Sequence, residues 1–197
     1  GKYYKYVVMN FDHKEVPTTV AEIENDKLLL IDWDIHSNGV NNFVYQDFGK
    51  AFYKGLVDAV DLLKKYKAVQ FIYPTFTNHP IETVKYFSKF CKKENINHSV
   101  LTNPTEFEIK ENHAYISVSD RILGAFLEQC RTRKFEPGVD IGFLSYNETP
   151  MKKFIYKGIS VISTDFKELG TKAAEFITND TSMQCYIPTK LIIRESL

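Results

Sequence analysis

Two apolar patterns alternate along almost the whole length of this chain of 197 residues. Short runs rich in β-branched residues are followed by longer stretches in which apolar residues recur every three or four positions. The first pattern suits buried strands and the second suits amphipathic helices, so the alternation predicts βαβ units, a largely parallel sheet and the α/β class. The predicted strands span residues 6–9, 28–31, 69–73, 115–118, 141–144 and 159–162.

Four helices are predicted from the spacing of apolar residues. They cover about residues 49–66 and 80–93, a stretch that carries Ile122, Leu123, Phe126 and Cys130, and about residues 166–178. The second helix is expected to turn Ile81, Val84, Phe87 and Cys91 towards the core. Three polar segments, 35–42, 103–112 and 178–183, are predicted loops, and none is long enough to tether independent domains.

The charges, the cysteines and the N-terminus indicate which partners and which compartment to expect. Lys plus Arg and Asp plus Glu number 25 each, so the composition predicts no unaided binding to nucleic acid or to an anionic membrane. Cys91, Cys130 and Cys185 are far apart and fit a reducing compartment better than a disulfide framework or a zinc site. The N-terminus lacks a signal-peptide pattern, and no apolar run approaches the roughly 18 residues of a membrane helix. We therefore expect a cytoplasmic protein, and the missing initial Met suggests an excised fragment.

Motifs that bind phosphate or catalyse hydrolysis are not found. Gly138 and Gly142 do not match either known phosphate-binding pattern, and a G-x-S-x-G nucleophile motif is missing. The five histidines are scattered. The sequence therefore predicts no cofactor, no metal site and no enzymatic activity.

Polar side chains follow several of the predicted strands. Asp32 and Asp34 follow the second strand, Asp120 follows the fourth, and Asn147 with Glu148 follows the fifth. Open α/β sheets bind ligands at these carboxyl ends. Planar acceptors and donors can bridge the hydroxyls of a sugar while an aromatic ring covers its apolar face, although a ring at such a position more often belongs to the core or the surface. The nearby aromatic residues are Trp33, Tyr45, Phe48, Tyr73, Phe76, Tyr146 and Phe166.

Four sequence blocks in the second half of the chain carry a family resemblance. AYISVSDRILGAF begins at Ala114 and is followed by VDIGFLSYNETP, by GISVISTDFKELG and by IPTKLIIRESL. In order and spacing these blocks resemble the closing stretch of LacI/GalR-type sensor domains, and KLLLID and NNFVYQDF resemble an earlier part less closely. The segments VYQDF, FCKKENI, DIGFLSYNETP and ISTDF look most like regulators from Bacteroidetes in which the sensor follows a GntR-type winged-helix domain.

The resemblance implies a periplasmic-binding-protein-like fold with two Rossmann-like lobes. The N-terminal lobe would comprise residues 1–67 plus 164–183, and the C-terminal lobe residues 68–163 plus 184–197. Family members begin with a DNA-binding domain and about two further βα units, so the first lobe is expected to be incomplete here.

The resemblance also implies a set of ligand contacts. The main candidates are Asp47, Ser119, Asp120, Asn147 and Phe166, and the secondary candidates are Gln46 and Thr83. Thr83 stands where the family often has an arginine, so a bidentate anchor for the ligand is lost. An alternative remains for several of these residues: Asp47 and Asp120 could be helix N-caps, and Asn147 could hold a turn.

The implied function is that of the effector-binding part of a bacterial transcription regulator. A small molecule, expected to be a carbohydrate, would favour a closed arrangement of the lobes and thereby act on operator DNA through the missing N-terminal domain of a homodimer. The alternative is a soluble sugar-binding protein of a transport system, which a secretory leader in the full-length gene would favour. A sugar-modifying enzyme ranks last, since it rests only on the clustered aspartates.

Overall fold

The computed structural model describes residues 2–9, 16–33, 39–179 and 181–197. Asp34, predicted at the end of a strand, lies outside them. The helices of the described residues are α1 (Val16–Ala21), α2 (Lys50–Asp58), α3 (Val60–Leu63), α4 (Glu82–Glu94), α5 (Asp120–Arg133) and α6 (Phe166–Asn179). The strands are β1 (Tyr6–Met9), β2 (Leu28–Asp32), β3 (Phe43–Tyr45), β4 (Ala68–Ile72), β5 (His98–Leu101), β6 (His113–Ser117), β7 (Gly142–Tyr146), β8 (Ser160–Thr164), β9 (Gln184–Tyr186) and β10 (Thr189–Ile192).

The chain divides into two compact units. Unit 1 consists of Gly1–Phe48, Asn78–Pro80 and Thr164–Thr189, and unit 2 of Gly49–Thr77, Ile81–Ser163 and Lys190–Leu197. Each unit contains its own β-sheet, and helices connect strands along the chain.

Unit 1 contains a sheet in the order β1-β2-β3-β9, and these neighbouring strands run parallel. Leu28 and Leu30 of β2 pack with Val20 of α1 on one face, whereas Leu29 packs with Leu169 of α6 on the other. A strand covered on both faces needs apolar residues at consecutive positions, which explains the run LLLI in β2.

Unit 2 contains a sheet in the order β10-β8-β7-β6-β4-β5, in which β5, β4, β6, β7 and β8 run parallel. On one face, Phe126 of α5 packs against Phe143 of β7, with ring centroids 4.6 Å apart. Phe71 of β4 contacts Phe52 of α2 and Phe87 of α4, with ring centroids 5.9 and 5.3 Å apart. Helices therefore cover strands of this sheet that are buried along most of their length.

Every predicted strand is present to within one or two residues, and the α/β class is confirmed. The predicted helix over residues 49–66 is divided at Ala59 into α2 and α3. The expected inward face of α4 is partly wrong, because Ile81 is 54% exposed whereas Phe87, Phe90 and Cys91 are buried.

The compact units also have different limits from the predicted lobes. α2 packs beside α4, so the segment that follows Phe48 belongs to unit 2 rather than extending unit 1 to residue 67. β9 pairs with β3, with Cys185 opposite Val44, so the chain stays in unit 1 as far as Thr189 instead of leaving it at residue 184. The identification of these units with the lobes of a sensor stays a prediction. No helix in the described part of the chain is long and apolar enough to cross a membrane.

The last residues of the chain are tied into unit 2. Ser196 donates a hydrogen bond from Oγ to the Phe143 carbonyl at 2.7 Å and accepts one from the Phe143 amide at 2.7 Å. Gly138 lies against this tail with a positive φ of 84°, and a Cβ there would come within 1.7 Å of the Glu195 carbonyl oxygen. Only glycine fits this position without a backbone shift.

Gly138→Ala is therefore expected to lower the free energy of unfolding by about 2–3 kcal/mol, since it combines backbone strain with a backbone clash. The matched control is Gly124→Ala in α5, where a Cβ meets no atom within 4 Å. There the substitution should stabilise the protein by about 0.5–1 kcal/mol, because alanine favours the helix. Urea denaturation followed by circular dichroism measures both variants, and equal effects would contradict the prediction.

Candidate functional site

The carboxyl ends of neighbouring strands in unit 2 bring three predicted contact residues to one edge of the sheet. β6 and β7 are parallel neighbours, with Ser117 opposite Ser145. Ser119 and Asp120 follow β6, and Asn147 follows β7, so the parallel pairing places all three beyond the same edge.

The turn from β6 into α5 is fixed by a buried hydroxyl. Ser117 Oγ donates to the Ile72 carbonyl at 2.8 Å and accepts a hydrogen bond from the Ser119 amide at 3.2 Å. Ser119 occupies the N-cap position of α5 but makes no capping hydrogen bond with its side chain. Asp120 is the first helical residue, so it is not the N-cap that the alternative interpretation considered.

Asp120 instead forms an ion pair with a lysine that the sequence analysis did not select. Its Oδ1 lies 2.7 Å from Nζ of Lys152, a residue of the 3₁₀ helix Pro150–Lys153. The Asp120 side chain is 58% exposed, whereas that of Lys152 is only 2% exposed. The buried Lys152 ammonium therefore holds one side of the Asp120 carboxylate, and the other side remains exposed to solvent.

Asn147 combines an unusual backbone with an unsatisfied side chain. Its φ is +62°, in the left-handed region that asparagine tolerates, and its amide donates to the Ile162 carbonyl at 2.9 Å. The alternative that Asn147 holds a turn therefore has support. Its buried Oδ1, however, has no hydrogen-bond partner among the described residues, and a buried acceptor of this kind costs free energy unless a donor reaches it.

Two further side chains at this edge form an aromatic and cationic surface. Phe76 is 48% exposed and lies beyond the end of β4, which neighbours β6. The guanidinium carbon of Arg121 is 4.8 Å from the centre of the Phe76 ring. Phe76 follows a predicted strand end, whereas nothing in the sequence marks Arg121, which looks like an ordinary exposed helix residue.

Unit 1 has a polar cluster at the carboxyl ends of β2 and β3. Gln46 is fully buried and donates from Nε2 to Asp32 Oδ1 at 2.5 Å. Asp32 adopts a φ of +89°, which is strained for a residue with a side chain. Burial raises the pKa of Asp32, and the hydrogen bond from Gln46 opposes that change. Asp32 was noted only as a strand-end carboxylate, and its pairing opposite Tyr45 is what brings it to Gln46.

Asp47 is half-buried and lies two residues beyond β3. Gly49 occupies the N-cap position of α2 and has a right-handed helical conformation, and Asp47 lies two residues before it. Burial first, and then the negative charge of Asp47, raise the pKa of Tyr186. The Tyr186 ring also contacts that of Tyr45, with centroids 5.3 Å apart. Asp47 therefore has an aromatic environment within unit 1.

The last two candidates differ in exposure. Phe166 begins α6 and is 40% exposed, so its ring is accessible for contact with a ligand. Thr83 lies in α4 and is fully buried, which leaves none of its surface exposed for such a contact. No group of three or more metal-binding side chains suited to a metal ion occurs in the described ranges.

We expect Asp32→Asn to raise the free energy of unfolding at pH 7. Because burial raises the pKa of Asp32, its contribution to stability is fully present below the ordinary aspartate pKa and is lost as the pH rises through the raised pKa. The uncharged amide removes that loss and keeps an acceptor for Gln46.

Urea titrations between pH 3 and pH 7 measure this effect. The difference between Asp32→Asn and the parent should shrink as the pH falls, whereas the exposed control Asp61→Asn should change stability by less than about 0.5 kcal/mol. A difference that does not depend on pH would show that charge on Asp32 is not the cause.

Solved structures with a similar fold align over almost the whole chain. A LacI family transcriptional regulator from Lactobacillus casei with bound glucose has a TM-score of 0.77 and 10% identity, and the match covers 100% of this chain and 79% of that one. A regulator of that family from Enterococcus faecium with bound ribose has a TM-score of 0.76 and 13% identity, with 96% and 78% covered. One from Arthrobacter sp. FB24 in complex with lactose has a TM-score of 0.75 and 12% identity, also with 96% and 78% covered.

No family model and no curated protein matches the sequence. At these low identities the similarity concerns the fold alone. The chain therefore has the mixed α/β, periplasmic-binding-protein-like fold with mostly parallel sheets that these LacI family regulators have.

Proposed function

We propose that this chain is the effector-binding domain of a bacterial transcription regulator, that its effector is a carbohydrate, and that it is not an enzyme. The observation that carries the proposal is that Asp120 and Asn147 both lie at one edge of the unit 2 sheet. The same fold is found in regulators that have glucose, ribose or lactose bound.

The chemistry of that edge suits a neutral polyol. The outer side of the Asp120 carboxylate is exposed, and Asn147 Oδ1 is a buried acceptor with no donor among the described residues. Sugar hydroxyls are donors that can satisfy both. The exposed ring of Phe76 offers an apolar surface for the carbon side of a sugar ring. Within unit 1, the resemblance assigns ligand contacts to Asp47, a half-buried carboxylate, and to Phe166, an exposed ring.

The proposed mechanism is allosteric and has no covalent step. A sugar shifts an equilibrium between two conformations only by as much as its affinity differs between them. In a regulator, that shift changes how two DNA-binding domains are presented to an operator.

Other parts of the proposal are supported by sequence resemblance. The segments VYQDF, DIGFLSYNETP and ISTDF support a regulator from Bacteroidetes with a GntR-type winged-helix domain and further βα units before this chain. A two-fold operator would require a homodimer, and a DNA-bound regulator would act in the cytoplasm.

The proposal predicts that at least one of ribose, glucose and lactose raises the melting temperature of the chain. At a concentration about 100 times the dissociation constant, the gain is about 2.7 kcal/mol, which corresponds to a rise of about 5–10 °C for a chain of this size. Differential scanning fluorimetry measures the shift over a series of sugar concentrations.

Asn147→Ala and Asp47→Ala each remove a side chain that the resemblance assigns to ligand binding, and each should weaken binding about tenfold or more through loss of a hydrogen bond. Asn41→Ala and Asp61→Ala remove exposed side chains of the same types and should leave the shift unchanged. If no sugar shifts the parent chain, the carbohydrate effector is wrong. If all four variants respond like the parent, the assigned residues are wrong.

A further inference from the structure

Lys152 is a buried cation with no assigned role. Its residue exposure is 1%, although the neighbouring Lys153 in the same 3₁₀ helix is exposed. Burial of an ammonium group is costly unless other groups replace its water. The environment of Lys152 must therefore satisfy both its charge and its three N–H donors.

Three oxygens meet that requirement. Lys152 Nζ donates to the Tyr146 carbonyl at 3.1 Å and to the Asn147 carbonyl at 2.6 Å, and it lies 2.7 Å from Asp120 Oδ1. An ammonium group has three donors, so each is used once. One side chain thus joins the end of β7 to the first residue of α5.

Two of the three partners of Lys152, Asn147 and Asp120, are the residues on which the proposed function depends. One of the Lys152 hydrogen bonds goes to the carbonyl of Asn147, whose φ is positive and whose side-chain Oδ1 meets no donor among the residues that the structure describes. Its counter-charge, Asp120, is 58% exposed. A cation with a purely structural role would gain more from a buried carboxylate, because the attraction is weaker where water screens it. Here the screened end of the pair is the exposed carboxylate, which the proposed function assigns to ligand binding.

We propose that Lys152 is a positioning residue for ligand binding, an inference that rests on the proposed function. It occupies the inner oxygen of Asp120, so the outer oxygen is held at a fixed place as an acceptor. It also fixes the main chain of Asn147, and hence the position of the Asn147 amide. Lys152 does not touch the ligand. Its effect is to set the separation of two acceptors before the ligand arrives, which lowers the ordering cost of binding.

The test is a double-mutant cycle on ligand affinity. Lys152→Met, Asp120→Ala, the double variant and the matched control Lys153→Met are titrated with ribose, glucose and lactose by isothermal calorimetry. Circular dichroism establishes that each variant is folded at the temperature used. Should Lys152→Met not fold, Lys152→Gln replaces it, because its amide donates to a carbonyl oxygen without carrying charge.

We expect Lys152→Met to raise the dissociation constant about tenfold or more, and Lys153→Met to leave it unchanged. We also expect the double variant to bind at least about fivefold more tightly than the product of the two single effects predicts, because Lys152 acts partly through Asp120. A structural role alone would lower the melting temperature of Lys152→Met without changing the affinity of the folded protein.

Failure of the Lys152 role and failure of the proposed function give different results in this experiment. If the parent binds a sugar and Lys152→Met binds it equally well, the positioning role is wrong and the proposed function stands. Full additivity of the two substitutions also overturns the role. If the parent binds none of the three sugars, the carbohydrate-sensing function is overturned and the role of Lys152 is overturned with it.

Discussion

Parallel pairing of the strands is the constraint on which the rest of the structure depends. Parallel neighbours require a crossover connection, so helices cover the sheets and the carboxyl ends of the strands collect at one edge. The apolar run of β2 and the aromatic contacts between β4, α2 and α4 are consequences of that covering. The meeting of Ser119, Asp120 and Asn147 is a consequence of the shared edge.

Several features that cost free energy lie at these same edges. Asp32 and Asn147 have positive φ values, Lys152 is a buried cation, and Asn147 Oδ1 is a buried acceptor without a donor in the described part of the chain. Each feature costs free energy that the apolar cores of the two units must offset. Local conflicts of this kind are expected at functional sites, and the proposed binding role gives these particular ones a reason to persist.

Much of the fold could be predicted because its strongest signals are local. Strands such as β2 and β7 carry apolar runs, and the helices repeat apolar residues at regular spacing. β5 was missed because HSVL begins with two polar residues, and the exposed position of Ile81 was missed because periodicity does not fix where a helix starts. Unit boundaries depend on the packing of α2 against α4 and on the pairing of β9 with β3, which are long-range contacts that no local pattern contains.

For the candidate site, the positions of the carboxylates and amides followed from the strand ends, but their partners did not. Lys152 in the sequence PMKKF looks like one of two surface lysines, and only the structure separates it from Lys153. That separation has a use in protein engineering. The frame of the candidate site in unit 2 comes from Lys152, Asp120 and main-chain carbonyls, and Asn147 keeps its left-handed conformation there. A library aimed at new ligand specificity would hold Lys152, Asp120 and Asn147 constant and vary Ser119 and Arg121.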